Sequence, residues 1–355
     1  MRFVFHLTAS LALLCAAACR AAEIAAAPPA PPATVFQARL ADFSAESHAR
    51  EVELLFAAFE KSRGGPLVPS AKGKVGLKIY TDSGPGLATP VPLALAVIRA
   101  LERRGWARED IFLVGLSQRQ LRLSGYLGSH SLGPSPFEGH KIYVLESGRY
   151  FDPVWFYDNP LPSRFDPIHV PRQAAAFGEN HTGGLRDEDR KSFLATPLFV
   201  DTDFWINLPA YSDHPMLGVN GALANATLWN ASNTSRFFNS LANASAAVAE
   251  MAAIPELRRT MLFTLASLER YQFIGGPQFN SYYTISEPIL WLSNDPVILD
   301  ALMLRRINAH RGLNRFKPVS GDIRALEFAA ALGVGSRDTD AATLRDVDSL
   351  PPPQP

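Results

Sequence analysis

Residues 74–115 read KVGLKIYTDSGPGLATPVPLALAVIRALERRGWAREDIFLVG, and this stretch decides the fold. It opens with a short β-type run, Lys74–Tyr80, and closes with a second one, Ile111–Gly115. Glycine, aspartate and proline are concentrated at Asp82–Gly86, which is typical of a turn. The two runs are therefore predicted to be strands separated by a turn and a further element.

The element between the two strands is predicted to be a helix. Thr89 provides an N-cap, and Pro90 is acceptable because the first helical turn needs no N–H donor. Gly105 supplies a C-terminal stop. Apolar residues recur at helical spacing between these ends, at Leu93, Val97, Ile98 and Leu101. A strand, a helix and a strand in this order predict parallel pairing with a right-handed crossover.

The rest of the chain continues the alternation of strands and helices. Strands are predicted at Phe199–Leu208 and Ile289–Leu292, and helices at Ala242–Ala253, Glu256–Leu268 and Pro296–His310. The proline-broken stretch 141–200 does not resolve into elements. The predicted fold class is α/β, a mainly parallel sheet flanked by helices with Rossmann-like β-α-β units.

Composition excludes some classes of partner. The 355 residues are 47% hydrophobic and 19% charged, which is enough apolar material for a substantial core. Lys and Arg together number 34, as do Asp and Glu, so the formal net charge is zero. Because a nucleic-acid-binding surface requires an excess of Lys and Arg, nucleic acid is not expected as a partner.

The amino terminus resembles a leader. Arg2 precedes an apolar run, Leu7–Ala18, which small residues follow, and this order predicts a signal peptide at residues 1–22. The run is too short to span a bilayer comfortably, so no membrane span is expected. The remaining chain is divided into a Pro/Ala-rich spacer at 23–45, an α/β domain of one or two lobes at 46–335, and a disordered tail at 336–355.

Both cysteines, Cys15 and Cys19, fall inside the predicted leader. The mature chain is therefore predicted to have no disulfide and no cysteine-ligated cofactor. Cleavage near Ala18 or Ala21 would release a periplasmic or secreted protein, whereas acylation of Cys19 would give a lipid-anchored one. A soluble periplasmic product is favoured.

The densest polar segment follows the strand predicted to end at Leu208. It includes Asp213 and His214, and Gly218 and Gly221 come directly after them. Ligands of α/β sheets bind where loops leave the carboxyl ends of strands, and histidine can serve there as acid, base or ligand. A structural histidine held by its own loop is an equally good interpretation of the same residues.

Two further clusters are weaker candidates. Glu269-Arg270-Tyr271 is followed by Gly275-Gly276. A helix end followed by a glycine turn would give the same pattern as a polar site. Asp295 precedes Pro296 and is a good N-cap, while Asp300 lies one helical turn and a little further along, where it could face a cleft or a surface ion pair.

Taken in order, these segments resemble an uncharacterised bacterial and archaeal family, the domain of unknown function 362. The resemblance covers about 75–310 and is carried by Lys78, Thr89-Pro90, Ile206-Asn207-Leu208-Pro209, His214, 218–223, Asn225, Gly276-Pro277, 295–297 and Asp300. Members often have Lys-Thr-His where this chain has Ser212-Asp213-His214, and some carry clustered cysteines that this chain lacks. Roles that depend on those groups do not transfer.

Two hypotheses follow from these patterns. The first is an enzyme acting on a small polar or anionic ligand, with His214 as acid, base or ligand. The second is a non-catalytic periplasmic binding or accessory protein. The candidate catalytic residues are His214, Asp213 and Asp300, and the candidate ligand-binding residues are Lys78, Thr89, Asn207, Asn220, Asn225, Gly276 and Asp295. The sequence identifies neither a metal nor another cofactor.

Overall fold

The structure, a computed structural model, describes residues 32–128, 137–159 and 190–347. The predicted signal peptide, with Cys15 and Cys19, lies outside these residues. The described residues belong to one compact unit.

The described strands are, in chain order, β1 (Thr34–Arg39), β2 (Val75–Ile79), β3 (Ile111–Gly115), β4 (Lys141–Val144), β5 (Phe151–Asp158), β6 (Lys191–Ala195), β7 (Phe204–Leu208), β8 (Tyr211–His214), β9 (Gly218–Asn220), β10 (Met261–Ser267), β11 (Tyr271–Gln272), β12 (Thr284–Ile285), β13 (Ile289–Ser293) and β14 (Thr343–Asp346). The described α-helices are α1 (Ala45–Arg63), α2 (Val91–Arg103), α3 (Gln118–Leu123), α4 (Ala222–Ala226), α5 (Leu241–Ala252), α6 (Pro255–Thr260), α7 (Pro296–Leu313) and α8 (Ala325–Ala331).

Eight strands form the main sheet in the order β14-β1-β13-β10-β7-β2-β3-β4. All neighbouring pairs from β10 to β4 are parallel, and β13 runs antiparallel to β1 and β10 on either side of it. A second sheet has the order β12-β11-β8-β9, and β5 pairs with β6. The predicted α/β class, a mainly parallel sheet flanked by helices, is confirmed.

The β-α-β unit predicted from residues 74–115 is confirmed as β2, α2 and β3, with β2 and β3 parallel. The predicted N-cap role of Thr89 is wrong. Pro90 occupies the N-cap position without a capping side chain. The Thr89 hydroxyl instead accepts a hydrogen bond from the Tyr80 N–H and donates one to the Leu208 carbonyl, so it joins the ends of β2 and β7.

One segment that was predicted to be a single helix is a short helix followed by a strand. Residues 256–268 were expected to be helical, but α6 ends at Thr260 and β10 begins at Met261. Because β10 lies inside the sheet and its last five residues are buried, both of its faces are buried there. Such a run has no alternation that distinguishes it from a buried helix.

The start of β7 and both predicted loose segments also require correction. β7 begins at Phe204 rather than at residue 199, because a 3₁₀ helix at Thr196–Leu198 and the turn after it occupy the preceding residues. The spacer predicted at 23–45 contains β1. The tail predicted at 336–355 contains β14, which pairs in parallel with β1.

The main sheet is covered on both faces. Leu113 of β3 packs with α1 and α2 in one apolar cluster, while the next residue, Val114, packs with α4, α5 and α8 in another. A third cluster joins the second sheet to α7. Burial on both faces leaves the strand ends, where the loops emerge, as the accessible part of the sheet.

Candidate functional site

The carboxyl ends of β2, β3, β7 and β10 lie at one edge of the main sheet because these strands run parallel. Two long connections leave this edge, residues 80–90 after β2 and the segment after β7 that forms the β8–β9 hairpin. In open α/β sheets, ligands bind in the crevice outside these strand ends. We call this region the carboxyl edge.

A row of polar residues crosses the sheet just inside the carboxyl edge. Lys78 is in register with Asn207, and Asn207 with Thr264, so the three side chains leave the same face. Asn225 of α4 covers the row, and its Nδ2 donates to Asn207 Oδ1 at 2.8 Å. Asn207 Nδ2 in turn donates to the Ala222 carbonyl at 2.8 Å and to Thr264 Oγ1 at 3.2 Å. The row is buried and connected by hydrogen bonds.

Lys78 is the charged member of this row and is fully buried. Its Nζ donates to the Ile79 carbonyl and to Asn225 Oδ1, both at 2.9 Å. Burial lowers the pKa of Lys78 to about 8, and the nearby negative charge of Asp82 opposes this shift. Burial also raises the pKa of Asp82. Asp82 Oδ2 is buried and has no hydrogen-bond partner within the described ranges.

An aromatic wall, made of Tyr80, Trp229 and Phe238, lies beside this charged pair. The rings of Tyr80 and Trp229 are 6.4 Å apart, and those of Trp229 and Phe238 are stacked at 5.9 Å with planes 23° apart. Trp229 Nε1 donates to Asn220 Oδ1, and the Tyr80 and Ser83 hydroxyls are 2.8 Å apart. Trp229 and Phe238 are only partly buried, so their rings are available to a ligand.

His214 extends the aromatic wall, since its ring centroid is 5.2 Å from that of Phe238. Its Nδ1 accepts the backbone N–H groups of Met216 at 3.1 Å and Leu217 at 3.2 Å. A nitrogen that accepts two N–H groups carries no proton, so the neutral ring carries its proton on Nε2. Burial lowers the pKa of His214 to about 4.

This arrangement defines the chemistry available to His214. A second ring proton would have to bind Nδ1, where it would meet the two backbone N–H groups that Nδ1 now accepts. The ring therefore stays neutral near pH 7. The residue retains 6% exposure, and its side-chain hydrogen bonds to other described residues are both at Nδ1. Nε2–H can therefore donate to a ligand, but it is a poor proton acceptor.

Asp213 belongs to a different environment, because neighbouring residues of a strand point to opposite faces. Its Oδ2 is 3.0 Å from Arg311 Nη1, and its Oδ1 accepts the Gly276 N–H at 2.8 Å. The same Nη1 also donates to the Phe273 carbonyl at 3.1 Å. Gly276 is required here, since a Cβ would lie 2.1 Å from the Asp213 carbonyl oxygen. Asp213 and Gly276 thus join β8 to the loop after β11 and to the end of α7.

Asp300 also has structural partners. Its two carboxylate oxygens accept the N–H groups of Ala222 at 2.7 Å and Leu223 at 3.0 Å, at the start of α4. Burial raises its pKa to about 7 despite these two bonds. A Cβ at Gly221 would lie 2.2 Å from the Tyr211 ring and 2.5 Å from Asp300 Oδ1, so only glycine fits between them.

Asp295 is the N-cap of α7, the role that its position before Pro296 indicates, as opposed to a ligand-binding residue. Oδ1 accepts the N–H groups of Val297 at 2.9 Å and Ile298 at 3.0 Å, and Oδ2 accepts that of Ser336 at 2.7 Å. Glu269, named with the second cluster, lies 3.3 Å from His48 Nε2 on α1.

The structure therefore divides the candidate residues into separate groups. Lys78, Asn207 and Asn225 form one hydrogen-bonded row, and Asn220 and His214 adjoin the aromatic wall beside it. Asp213 and Gly276 contact each other elsewhere, while Asp300, Asp295 and Thr89 hold secondary structure together. The sequence interpretation missed Tyr80, Trp229, Phe238 and Arg311. Alternation along β8 could have separated Asp213 from His214, but nothing distinguishes Trp229 and Phe238 from core aromatics.

Neither a metal-binding cluster nor a membrane-spanning helix occurs among the described residues. No group of three or more His, Cys, Asp or Glu side chains arranged to hold a metal ion occurs in residues 32–128, 137–159 and 190–347. Across the same residues, no helix has both the length and the apolar character needed to cross a membrane.

Comparisons with known proteins do not assign this chain to a group. No family model matches the sequence, and no curated protein matches it. Among solved structures, a Thermotoga maritima protein from the Northeast Structural Genomics Consortium is similar over 81% of this chain, with a TM-score of 0.37 and 11% identity. The chain spans 59% of the length of that protein. A TM-score this low carries no argument, so the α/β assignment rests on the sheet described above.

Proposed function

We propose that this chain is an exported protein that binds a small polar or anionic molecule at the carboxyl edge, with His214 as a hydrogen-bond donor. The observation that carries this proposal is the pair of backbone N–H groups held by His214 Nδ1. They direct the single ring proton to Nε2, the atom left for a ligand.

The surroundings of His214 suit a ligand with a flat face and hydrogen-bond acceptors. Trp229 and Phe238 offer stacked, partly exposed rings on which such a face can rest. Behind them, the ammonium group of Lys78 has only neutral oxygens as hydrogen-bond partners within the part of the chain that the structure describes. Its positive charge favours an acceptor-rich or anionic group nearby, and the negative charge of Asp82 partly offsets this preference.

Binding is favoured over acid–base catalysis by the positions of the two candidate carboxylates. Asp213 is bonded to Arg311 and Gly276, and Asp300 to two backbone N–H groups. Neither carboxylate adjoins the His214 ring, so neither supports it as a base in the manner of a catalytic dyad. This favours the binding or accessory hypothesis.

A thermal-shift screen of small carboxylates, phosphates and sugars tests the proposal, because a ligand that binds only the folded state raises the Tm. We expect stabilising compounds to lose about fivefold or more in affinity in His214→Asn, which keeps an acceptor oxygen near Nδ1 and removes the Nε2 donor. Asp213→Asn is the matched control, one residue away on the opposite face, and should bind normally. A screen in which the same compounds bind equally to His214→Asn would rule out His214 as the donor.

Catalysis is a second candidate function, and one observation favours it. Burial lowers the pKa of Lys78 to about 8, so a minor part of this lysine is neutral near pH 7 and can accept a proton. Stabilising compounds should therefore be incubated with the protein and followed by NMR for turnover. Turnover that disappears in Lys78→Met and persists in His214→Asn would favour an enzyme that uses Lys78 over the binding protein.

Export and the family resemblance stay predictions. The mass of the mature amino terminus distinguishes the two processing routes: cleavage near Ala18 or Ala21 gives an unmodified protein, whereas acylation leaves a lipid on Cys19. Full-length protein recovered from the cytoplasm would contradict export.

A further inference from the structure

Lys78 and Asp82 leave hydrogen-bonding capacity unused beside the aromatic wall. An ammonium group has three N–H donors, and the bonds of Lys78 Nζ to the Ile79 carbonyl and to Asn225 Oδ1 use two of them. No third acceptor lies within hydrogen-bond distance of Nζ in the ranges that the structure describes. Asp82 Oδ2 is buried and has no donor among the same residues. One donor and one acceptor are therefore left for a further group.

The two charges influence each other without a direct bond. For Lys78 and for Asp82, burial shifts the pKa most, and the charge of the other residue opposes that shift. Both partners of Lys78 Nζ are neutral oxygens, so no bond within the described residues joins it to Asp82. Tyr80 lies between the two residues in the chain, and its pKa is raised by burial and further by the charge of Asp82. The space between Lys78 and Asp82 therefore adjoins the aromatic wall.

The unused donor and acceptor select the kind of group that suits this space. A hydroxyl accepts from one N–H and donates to one oxygen, so it satisfies both. A carboxylate or phosphate oxygen without a proton can only accept, and it would lie against the charge of Asp82. An ammonium group can only donate, and it would lie against the charge of Lys78. The pair therefore favours a neutral hydroxyl.

The aromatic wall adds a requirement for an apolar face. Trp229 and Phe238 are stacked and partly exposed, and covering such rings with C–H groups is favourable. His214 Nε2–H supplies one more donor beside Phe238, which an uncharged oxygen can accept. A sugar ring combines these properties, because hydroxyls surround its edge and C–H groups cover its face.

We infer that the ligand of the carboxyl edge is a neutral sugar, one hydroxyl of which accepts from Lys78 Nζ and donates to Asp82 Oδ2 while the ring rests on Trp229. This inference rests on the function proposed above and narrows its ligand from a polar or anionic molecule to a neutral, polyhydroxylated one. Asp82 is then a specificity-determining residue, because its charge disfavours sugar acids of the same shape.

Neutral hexoses and their uronates provide the test, because the two members of each pair share a ring and differ in charge. Binding of D-glucose, D-galactose, D-mannose and the three corresponding uronates to the full chain is measured by isothermal titration calorimetry near neutral pH. We expect at least one hexose to bind, about fivefold or more tightly than its uronate. Undetectable binding of all three hexoses up to about 10 mM, or tighter binding of the uronates, would overturn the inference.

Asp82→Asn tests the role assigned to the carboxylate. Loss of the negative charge should lower the ratio of hexose affinity to uronate affinity about tenfold, because the uronate no longer meets a repulsion. A smaller folded fraction weakens both probes equally, so a merely structural role of Asp82 would leave this ratio unchanged and would contradict the inference. Glu109→Gln is the matched control and should keep the wild-type ratio, since it removes the same charge from an exposed side chain just before β3, at the opposite edge of the sheet.

Two further comparisons locate the sugar and separate the inference from the function on which it rests. Trp229→Leu should weaken the hexose about fivefold or more, whereas Trp155→Leu, the same change at a partly buried tryptophan of β5, should not. Equal hexose affinity in these two variants would contradict the placement on Trp229. Anionic compounds that bind and lose affinity in His214→Asn, while no hexose binds, would leave the proposed function standing and exclude the sugar. If neither class of compound binds, both fail.

Discussion

Asp213 and His214 are adjacent in β8, yet their side chains leave the strand on opposite faces and enter separate hydrogen-bond networks. Asp213 joins α7 to the second sheet through Arg311, whereas His214 closes its own turn and adjoins the aromatic wall. The Asp-His pair that stands out in the sequence is therefore one structural anchor and one ligand-facing group.

The Asp213–Arg311 ion pair should contribute to stability and not to ligand binding. Both side chains are mostly buried, at 11% and 15% exposure, so removing one leaves the other poorly solvated. We expect a double-mutant cycle of Asp213→Asn and Arg311→Met to give a coupling free energy of about 1–3 kcal/mol in urea unfolding. A coupling near zero would show that the pair is energetically unimportant.

The two amide substitutions at His214 should destabilise the protein to different extents. His214→Gln retains a donor near Nε2 but leaves the N–H groups of Met216 and Leu217 without an acceptor, so it should lower the unfolding free energy by about 1–3 kcal/mol. His214→Asn should be less destabilising because its oxygen replaces Nδ1. Chemical denaturation of both variants checks the order, and a more stable Gln variant would contradict the assigned tautomer.

The buried carboxyl of Asp300 should make stability fall as the pH rises toward neutrality. Its pKa is raised to about 7 in the folded state, so between about pH 4 and pH 7 the folded state holds a proton that the unfolded state has lost. The contribution is fully present below pH 4 and lost as the pH passes 7. Asp300→Asn should remove this component from the pH dependence of the unfolding free energy; an identical profile would show that Asp300 ionises normally.

Lys78 should give a pH dependence at the alkaline end. Its pKa is lowered to about 8 from an unfolded value of about 10.4, so the unfolded state binds more protons between these two values. Stability contributed by Lys78 should therefore rise from about pH 8 to pH 10. The unfolding free energy of Lys78→Met should not rise over this pH range. If it still rises, the increase in stability comes from another titrating group.

The sequence predicted those parts of the fold that have local chemical signals. The turn at Asp82–Gly86 and the proline at position 90 delimit β2 and α2 without any knowledge of the sheet. β10 has no such signal, because both of its faces are buried and this removes the alternation that identifies a strand.

Only part of the site could be predicted from the sequence, for a related reason. Lys78, Asn207 and Asn225 are separated along the chain, and strand register together with the position of α4 brings them into contact. The sequence left Asp300 facing either a cleft or a surface ion pair, but its carboxylate accepts the first N–H groups of α4, which depends on how α7 packs. Trp229 and Phe238 gain their role from partial exposure, which depends on neighbours rather than on residue type.

The protonation of the His214 ring tests the central claim most directly. Long-range ¹H–¹⁵N correlation spectra of the histidines, assigned with His214→Asn, report which ring nitrogen carries the proton. We predict a protonated Nε2 and an unprotonated Nδ1, unchanged from about pH 8 to about pH 5, since the pKa is lowered to about 4. A proton on Nδ1, or titration near the ordinary histidine pKa of about 6.5, would contradict the account.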